Sequence, residues 1–257
     1  DPPNLNGTFI YRVYVPDAGR DQTGDVGLPT VALQSAKGGR VPKSACRTFS
    51  RPASPDLNKA IAESEAPLPV PSLSARNPTF WRKFTNPVDV YARAVNLHSE
   101  DTRKLGGNGG FLSNVDNQYL YGVVHQDFGK VLTVRMRAPS FPDTRDGARR
   151  MPGGDLRFFS LCQNERFSQR FVACRADVQS VVGEDGVMTY VISTPANRPK
   201  TATAECGATW MPWGPSKEGN LIYRHMLPDT GFRQAIQFAE PDRERETMGD
   251  YLPQSRY

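Results

Sequence analysis

The chain has 257 residues, 38% of them hydrophobic and 23% charged, with a mean hydropathy of -0.54, which suits a folded chain with a sizeable core and excludes a disordered polymer. No stretch reaches the roughly 18 consecutive apolar residues of a membrane helix, so no membrane-spanning segment is expected. The net charge of +5 and sequence pI near 9.1 favour anionic partners, an envelope polymer or acidic protein subunits. Lys and Arg are dispersed, however, and no nucleic-acid motif occurs, so nucleic acid is not an expected partner.

The sequence opens Asp1-Pro2-Pro3 without an initiator Met, which we read as a processed, exported form. Residues 8–15 are β-branched and aromatic and stop at Pro16, which predicts a strand. Asp21, Thr23 and Asp25 then alternate between Gly19, Gly24 and Gly27. Oxygen donors so spaced would wrap a calcium ion, although the closing Glu of an EF-hand is missing and a solvated turn is the plainer expectation. Leu28–Gln34 predicts a second short strand, and Ser54 caps a predicted helix over residues 55–62. Residues 67–78 are rich in Pro and Ser and predict an extended connector. These elements make residues 1–80 an N-terminal arm and leave residues 81–257 as the main domain. A second short helix is expected over residues 89–97, then a flexible loop at Gly106–Gly110.

From Gln118 onward the pattern is almost continuously β. Predicted strands cover Gln118–Val124, Lys130–Ala138, Asp155–Cys162, Arg170–Gln179, Val187–Ser193, Gly219–Met226 and Phe232–Phe238. In the second of these, Leu132, Val134 and Met136 alternate with Val131, Thr133 and Arg135, the period of a half-buried strand. Asp185-Gly186 is a hairpin signal between Arg170–Gln179 and Val187–Ser193. Short strands at this spacing predict a mostly β chain: an antiparallel β-sandwich or jelly roll with an extended arm and a few short helices.

The four cysteines form no C-x-x-C pair, which argues against a zinc ribbon or a thioredoxin-type site. Cys162 and Cys174 close two strands joined by the polar segment Gln163–Arg170, so their sulfurs are expected to face each other. That would leave Cys46 to pair with Cys206, although four cysteines permit three connectivities. Disulfides imply an oxidising compartment, periplasmic or extracellular.

Several segments carry a resemblance. They are Ser113-Asn114-Val115-Asp116-Asn117-Gln118-Tyr119-Leu120-Tyr121, Lys130–Arg135 followed by Ala138-Pro139, and Asp155–Cys162. Asp185-Gly186 before Tyr190-Val191-Ile192, Trp210-Met211-Pro212-Trp213-Gly214 and Arg224-His225-Met226-Leu227-Pro228 complete the set. In this order, over roughly residues 110–237, the chain resembles a group of bacterial, often exported proteins of unknown function built on β-sandwich or jelly-roll domains. In that group an Asn-Asp-Thr-Leu-Tyr-like segment leads into the sandwich and an Asn-Trp-Leu-Pro-like segment closes it. Here Asn117 and Gln118 replace the Thr, and Thr209 replaces the Asn before the Trp. The resemblance implies a fold and an exported location, and it brings no catalytic residues.

Candidate chemistry is sparse. His125 and Asp127, two residues apart on a predicted strand, would share a face and could share a metal or a proton, and His98, His125 and His225 would make a zinc or copper site if the three imidazoles met. Glu165 and Asp177 flank the expected disulfide hairpin and would matter as a glycosidase pair only at close separation. Trp210 and Trp213, with Tyr223, would form an aromatic platform for a sugar or apolar ligand, or else fill the core. No Gly-x-Ser-x-Gly elbow, His-Glu-x-x-His helix or P-loop occurs. No catalytic set and no cofactor beyond calcium or a transition metal is therefore expected. The sequence reads as a non-catalytic exported accessory or structural protein that packs against partner proteins. The alternative is an envelope enzyme or carbohydrate-binding protein with a pocket at the sandwich mouth.

Overall fold

In a computed structural model of the chain, residues 11, 13–30, 32, 38–39, 75–86, 116–148, 153–165 and 171–257 are described. The helices expected over 55–62 and 89–97, the Gly106–Gly110 loop, His98 and Cys46 lie outside these residues. The backbone divides into two units, Asp1–Ala66 with Thr144–Gly147, and Pro67–Asp143 with Ala148–Tyr257.

In the first unit the described parts of the two expected strands, Tyr11 and Val13–Val15, then Leu28–Thr30 and Ala32, are not in strands. Propensity alone does not make a strand without a ladder partner, and Pro16 and Pro29 each remove a donor from any ladder here. Gly19–Gly27 is instead a succession of turns, with Gly19, Gly24 and Gly27 all at positive φ.

The second unit carries nine strands among the described residues: β1 (Arg82–Lys83), β2 (Asn117–His125), β3 (Val131–Arg137), β4 (Leu156–Glu165), β5 (Phe171–Ala176), β6 (Val187–Ser193), β7 (Thr209–Pro212), β8 (Glu218–Pro228) and β9 (Gln254–Arg256). They form a five-stranded sheet in the order β1-β2-β8-β4-β5 and a four-stranded sheet in the order β7-β6-β3-β9. A short helix, α1 (Glu244–Met248), precedes β9.

The period-two pattern explains why the sheets stack. Along β3 the even positions Leu132, Val134 and Met136 are buried while Arg135 and Arg137 are exposed. Leu120, Val124, Phe159, Leu161, Leu221 and Tyr223 from the five-stranded sheet join Leu132, Val134, Met136, Met188, Tyr190, Ile192 and Met211 from the four-stranded sheet in one core cluster. Each fully buried aliphatic or aromatic side chain contributes roughly 1.5–3 kcal/mol, so this shared interior is what holds the layers together. The β-sandwich expectation therefore stands.

Three details differ from the sequence expectation. The four-stranded sheet is mixed, because β7 runs parallel to β6, with Tyr190 level with Thr209 and Ile192 with Met211. The turn at Asp185-Gly186 forms, with Gly186 N–H donating to Gly183 O at 2.9 Å and Gly183 N–H donating to Val187 O at 2.9 Å. It does not join ladder neighbours, since β5 pairs with β4 in one sheet and β6 with β3 and β7 in the other. The 3-10 turn Asp177–Gln179 has already carried the chain between layers. Finally, Phe232–Phe238 is a loop ending in the 3-10 turn Ile236–Phe238, not a strand. Its buried residues Phe232, Ala235 and Ile236, with the adjoining Ala239, recur at intervals of one, three and four, so a period of two would place some of them in solvent.

Candidate functional site

Cys162 and Cys174 face each other across β4 and β5, with Cα atoms 4.0 Å apart, and are joined by a disulfide. Their in-strand neighbours Leu161 and Arg175 are also paired and take the opposite face, so the bond sits on the side of the sheet away from the core. Cys206, in the 3-10 turn Ala204–Cys206, is a free and exposed thiol, and Cys46, its expected partner, lies outside the described residues.

Of the described histidines, His125 and His225 do not meet. His125 ends β2 opposite Glu218, whereas His225 stands opposite Gln118 on the same ladder. Seven residues of strand separate the two levels, about 23 Å at ~3.3 Å per residue. Asp127 lies in a 3-10 turn past the strand end, where its N–H donates to His125 Nδ1 at 3.1 Å, its carboxylate lies 3.6 Å from that nitrogen, and Lys217 Nζ approaches to 3.7 Å. His225 is fully buried beneath Tyr223, whose ring centroid is 4.7 Å away, and its Nδ1 accepts the Ile236 N–H at 3.2 Å. Burial pushes its imidazole down to about 3, so it is a neutral core residue. Among the described residues no three His, Cys, Asp or Glu side chains are grouped as metal ligands.

The Asp21 and Asp25 loop satisfies its own oxygens. Asp21 Oδ1 accepts from Thr23 N–H at 2.7 Å, Thr23 Oγ1 at 2.7 Å and Asp25 N–H at 2.9 Å. Asp25 Oδ1 accepts the Asp21 N–H at 2.9 Å, and Asp25 Oδ2 meets Arg20 at 2.9 Å. Backbone donors hold both carboxyls below the usual carboxylate range. Oxygens already facing N–H groups and a guanidinium make an Asx-turn knot and not a calcium cradle.

Two further sequence candidates are taken apart by the register. Glu165 lies five residues along β4 from Ser160, the residue level with Ala176, so it is about 17 Å along the strand from the Asp177 end of the hairpin. That exceeds the carboxylate spacing of either glycosidase geometry. Asp177 is buried, accepts the Val178 N–H at 2.8 Å, and is pushed up to about 6 chiefly by desolvation. Next to it Tyr190 Oη lies 2.7 Å from Ser180 Oγ, which donates to Ala176 O at 2.8 Å. This polar cluster pins the crossover between layers.

Trp213 and Tyr223 are 1% and 0% exposed within the main core, so they form no platform. Trp213 Nε1 donates to Ser216 O at 3.0 Å, and Gln163 Nε2 donates to Trp213 O at 2.7 Å. Trp210 points the other way, onto the outer face of the four-stranded sheet. There its Nε1 donates to Ser193 Oγ at 3.1 Å and the Arg198 guanidinium lies 4.6 Å from its ring. Val191, Ala202 and Ala208 pack around it.

The other half of that outer face is concave and basic. A groove of about 340 Å³ is lined by Thr133, Arg135, Met136, Arg137, Val187, Asp250, Gln254 and Arg256. β9 pairs only with Thr133–Arg135, so β3 continues past it to Arg137 and leaves a gap beside Asp250. Arg135 shares Asp185 at 3.5 Å, whereas neither Arg137 nor Arg256 has an ion-pair partner among the described residues. Alternation along β3 was the signal that Arg135 and Arg137 face outward, but nothing in the sequence placed Asp250, Gln254 and Arg256 beside them.

No family model matches the chain, and no curated protein matches it. Among solved structures it is similar to an uncharacterized protein from Burkholderia cenocepacia, at 12% identity and a TM-score of 0.38, over 83% of this chain and 45% of that one. It is also similar to a protein from Vibrio parahaemolyticus, at 15% identity and a TM-score of 0.35, over 58% of this chain and 36% of that one. The chain thus spans less than half the length of these two bacterial proteins.

Proposed function

We propose that this is a non-catalytic exported accessory protein that works by holding an acidic partner in an envelope or extracellular assembly. The observation that carries the reading is the groove on the four-stranded sheet, where Arg137 and Arg256 are exposed on strands and have no ion-pair partner among the described residues. The strands fix the backbone positions of both arginines, and a guanidinium recognises carboxylate or phosphate bidentately. The cross-strand disulfide fits an oxidising compartment. Trp213, Tyr223 and His225, the residues richest in chemistry, serve the core.

Retention on an immobilised polyanion tests the reading. The charge swaps Arg137→Glu and Arg256→Glu should lower the salt needed for elution far more than Arg233→Glu, whose guanidinium stacks on Phe238 outside the groove. Equal effects from all three would show that net charge acts and not this face.

A further inference from the structure

The lining of the groove is more specific than a positive patch. Thr133 is level with Arg256 and Arg135 with Gln254 across β3 and β9, while Arg137 is level with Val187 across β3 and β6. Arg256 stands at the Thr133 level and Arg137 four residues along, about 13 Å between their backbone levels at ~3.3 Å per residue, with Arg135 between them. Half-buried Val187 supplies apolar surface. The Asp250 carboxylate adds an acceptor that a simple anion has no use for and would repel one, while the Gln254 amide can both donate and accept. A ligand that uses the whole lining carries acid groups at more than one place, hydroxyls to donate to Asp250 and Gln254, and C–H surface to cover Val187. That combination is an acidic saccharide. The volume of about 340 Å³ lies at the small end of ligand sites and suits a short segment.

We infer that the groove on the outer face of the four-stranded sheet binds an acidic oligosaccharide. Its carboxylate or phosphate groups pair with Arg137 and Arg256, and its hydroxyls donate to Asp250 and Gln254. The inference rests on the reading that the protein works by binding, and it names the ligand.

Titration calorimetry of the full chain tests it with three probes: a galacturonate trisaccharide, a sugar-phosphate oligomer and a galactose trisaccharide. The first two arms separate carboxylate from phosphate as the source of the charge, and the third removes the charge alone. One acidic probe should bind, and the neutral probe should not. Arg137→Gln and Arg256→Gln should each weaken binding by about tenfold, the scale of one lost charge-assisted pair, while Arg233→Gln should leave it unchanged. Asp250→Asn should weaken the saccharide yet strengthen inorganic phosphate, because it removes both a hydroxyl acceptor and a repelling charge. Equal binding of the neutral probe, indifference to Arg137→Gln and Arg256→Gln, or tighter saccharide binding by Asp250→Asn would each overturn the inference. If both acidic probes fail while polyanion retention still depends on Arg137 and Arg256, the ligand assignment falls and the binding function stands. Loss of both would end both readings.

Discussion

Replacing Cys162 and Cys174 together by Ser tests what the cross-strand bond does. The cysteines are 12 residues apart, so the closed loop is short. Chain entropy then gives about 10 cal/mol/K removed from the unfolded state, or about 3 kcal/mol at 25 °C. The native state should change little by comparison. The pair lies on the sheet face away from the core, and the register from Ser160 with Ala176 to Gln163 with Ala173 is held by ladder hydrogen bonds. Urea unfolding under oxidising conditions should show the midpoint falling, with a slightly steeper dependence on denaturant because the unfolded chain is less constrained. For a chain of this size the same change corresponds to a fall of roughly 6–12 °C in Tm. Hydrogen exchange should quicken most in β5, which among the described residues pairs only with β4 and forms one edge of its sheet. A loss below about 1 kcal/mol would refute the entropic argument, and a loss well above about 5 kcal/mol would show that the bond also supports native packing.

The remaining predictions concern titration and packing. The His225 imidazole, pushed by burial from an ordinary 6.5 down to about 3 in the fold, contributes stability that is complete above pH 6.5 and lost as pH falls toward 3. His225→Gln should flatten that acid limb of a stability-versus-pH curve, and an unchanged limb would place the effect elsewhere. Asp177 has the opposite sign, since a carboxyl raised from 3.8 to about 6 makes the fold less stable as pH rises between those values, and Asp177→Asn should remove that decline. A Cβ on Gly219 would overlap the Gln163 Nε2 atom and push the amide off Trp213 O. Gly219→Ala should therefore cost about 1–3 kcal/mol in denaturant unfolding, with a clearly smaller added cost in a Gln163→Ala background. Trp213→Ala should cost about 3–5 kcal/mol, whereas half-buried Trp210→Ala should cost less, and equal losses would contradict their opposite orientations.

What was legible in the sequence was local. The two-residue alternation of Val131–Arg137 comes from strand geometry, and it revealed both the strand and the faces its side chains take. The Cys162–Cys174 bond was legible for the same reason, because two short strands joined by a polar connector put their ends together. The turn expected at Asp185-Gly186 forms, although not as a hairpin between the strands on either side of it.

Which strands then become neighbours was not legible, because pairing depends on where the chain crosses between layers. A 3-10 turn at Asp177–Gln179 sends β6 to the second sheet, and the segment after β6 returns β7 parallel to it. The same limit governs the site. His125 and Asp127 are close because they are near in sequence, yet His225 is out of reach because ladder register sets distance at about 3.3 Å per residue. Trp213 and Trp210 differ by three positions and serve opposite faces, which only the stacking of the second sheet on the first decides. The arginine groove is the clearest case. The sequence by itself turned Arg135 and Arg137 outward, but only the tertiary structure brought a three-residue strand from the far end of the chain beside them, supplying Arg256 and leaving the gap next to Asp250.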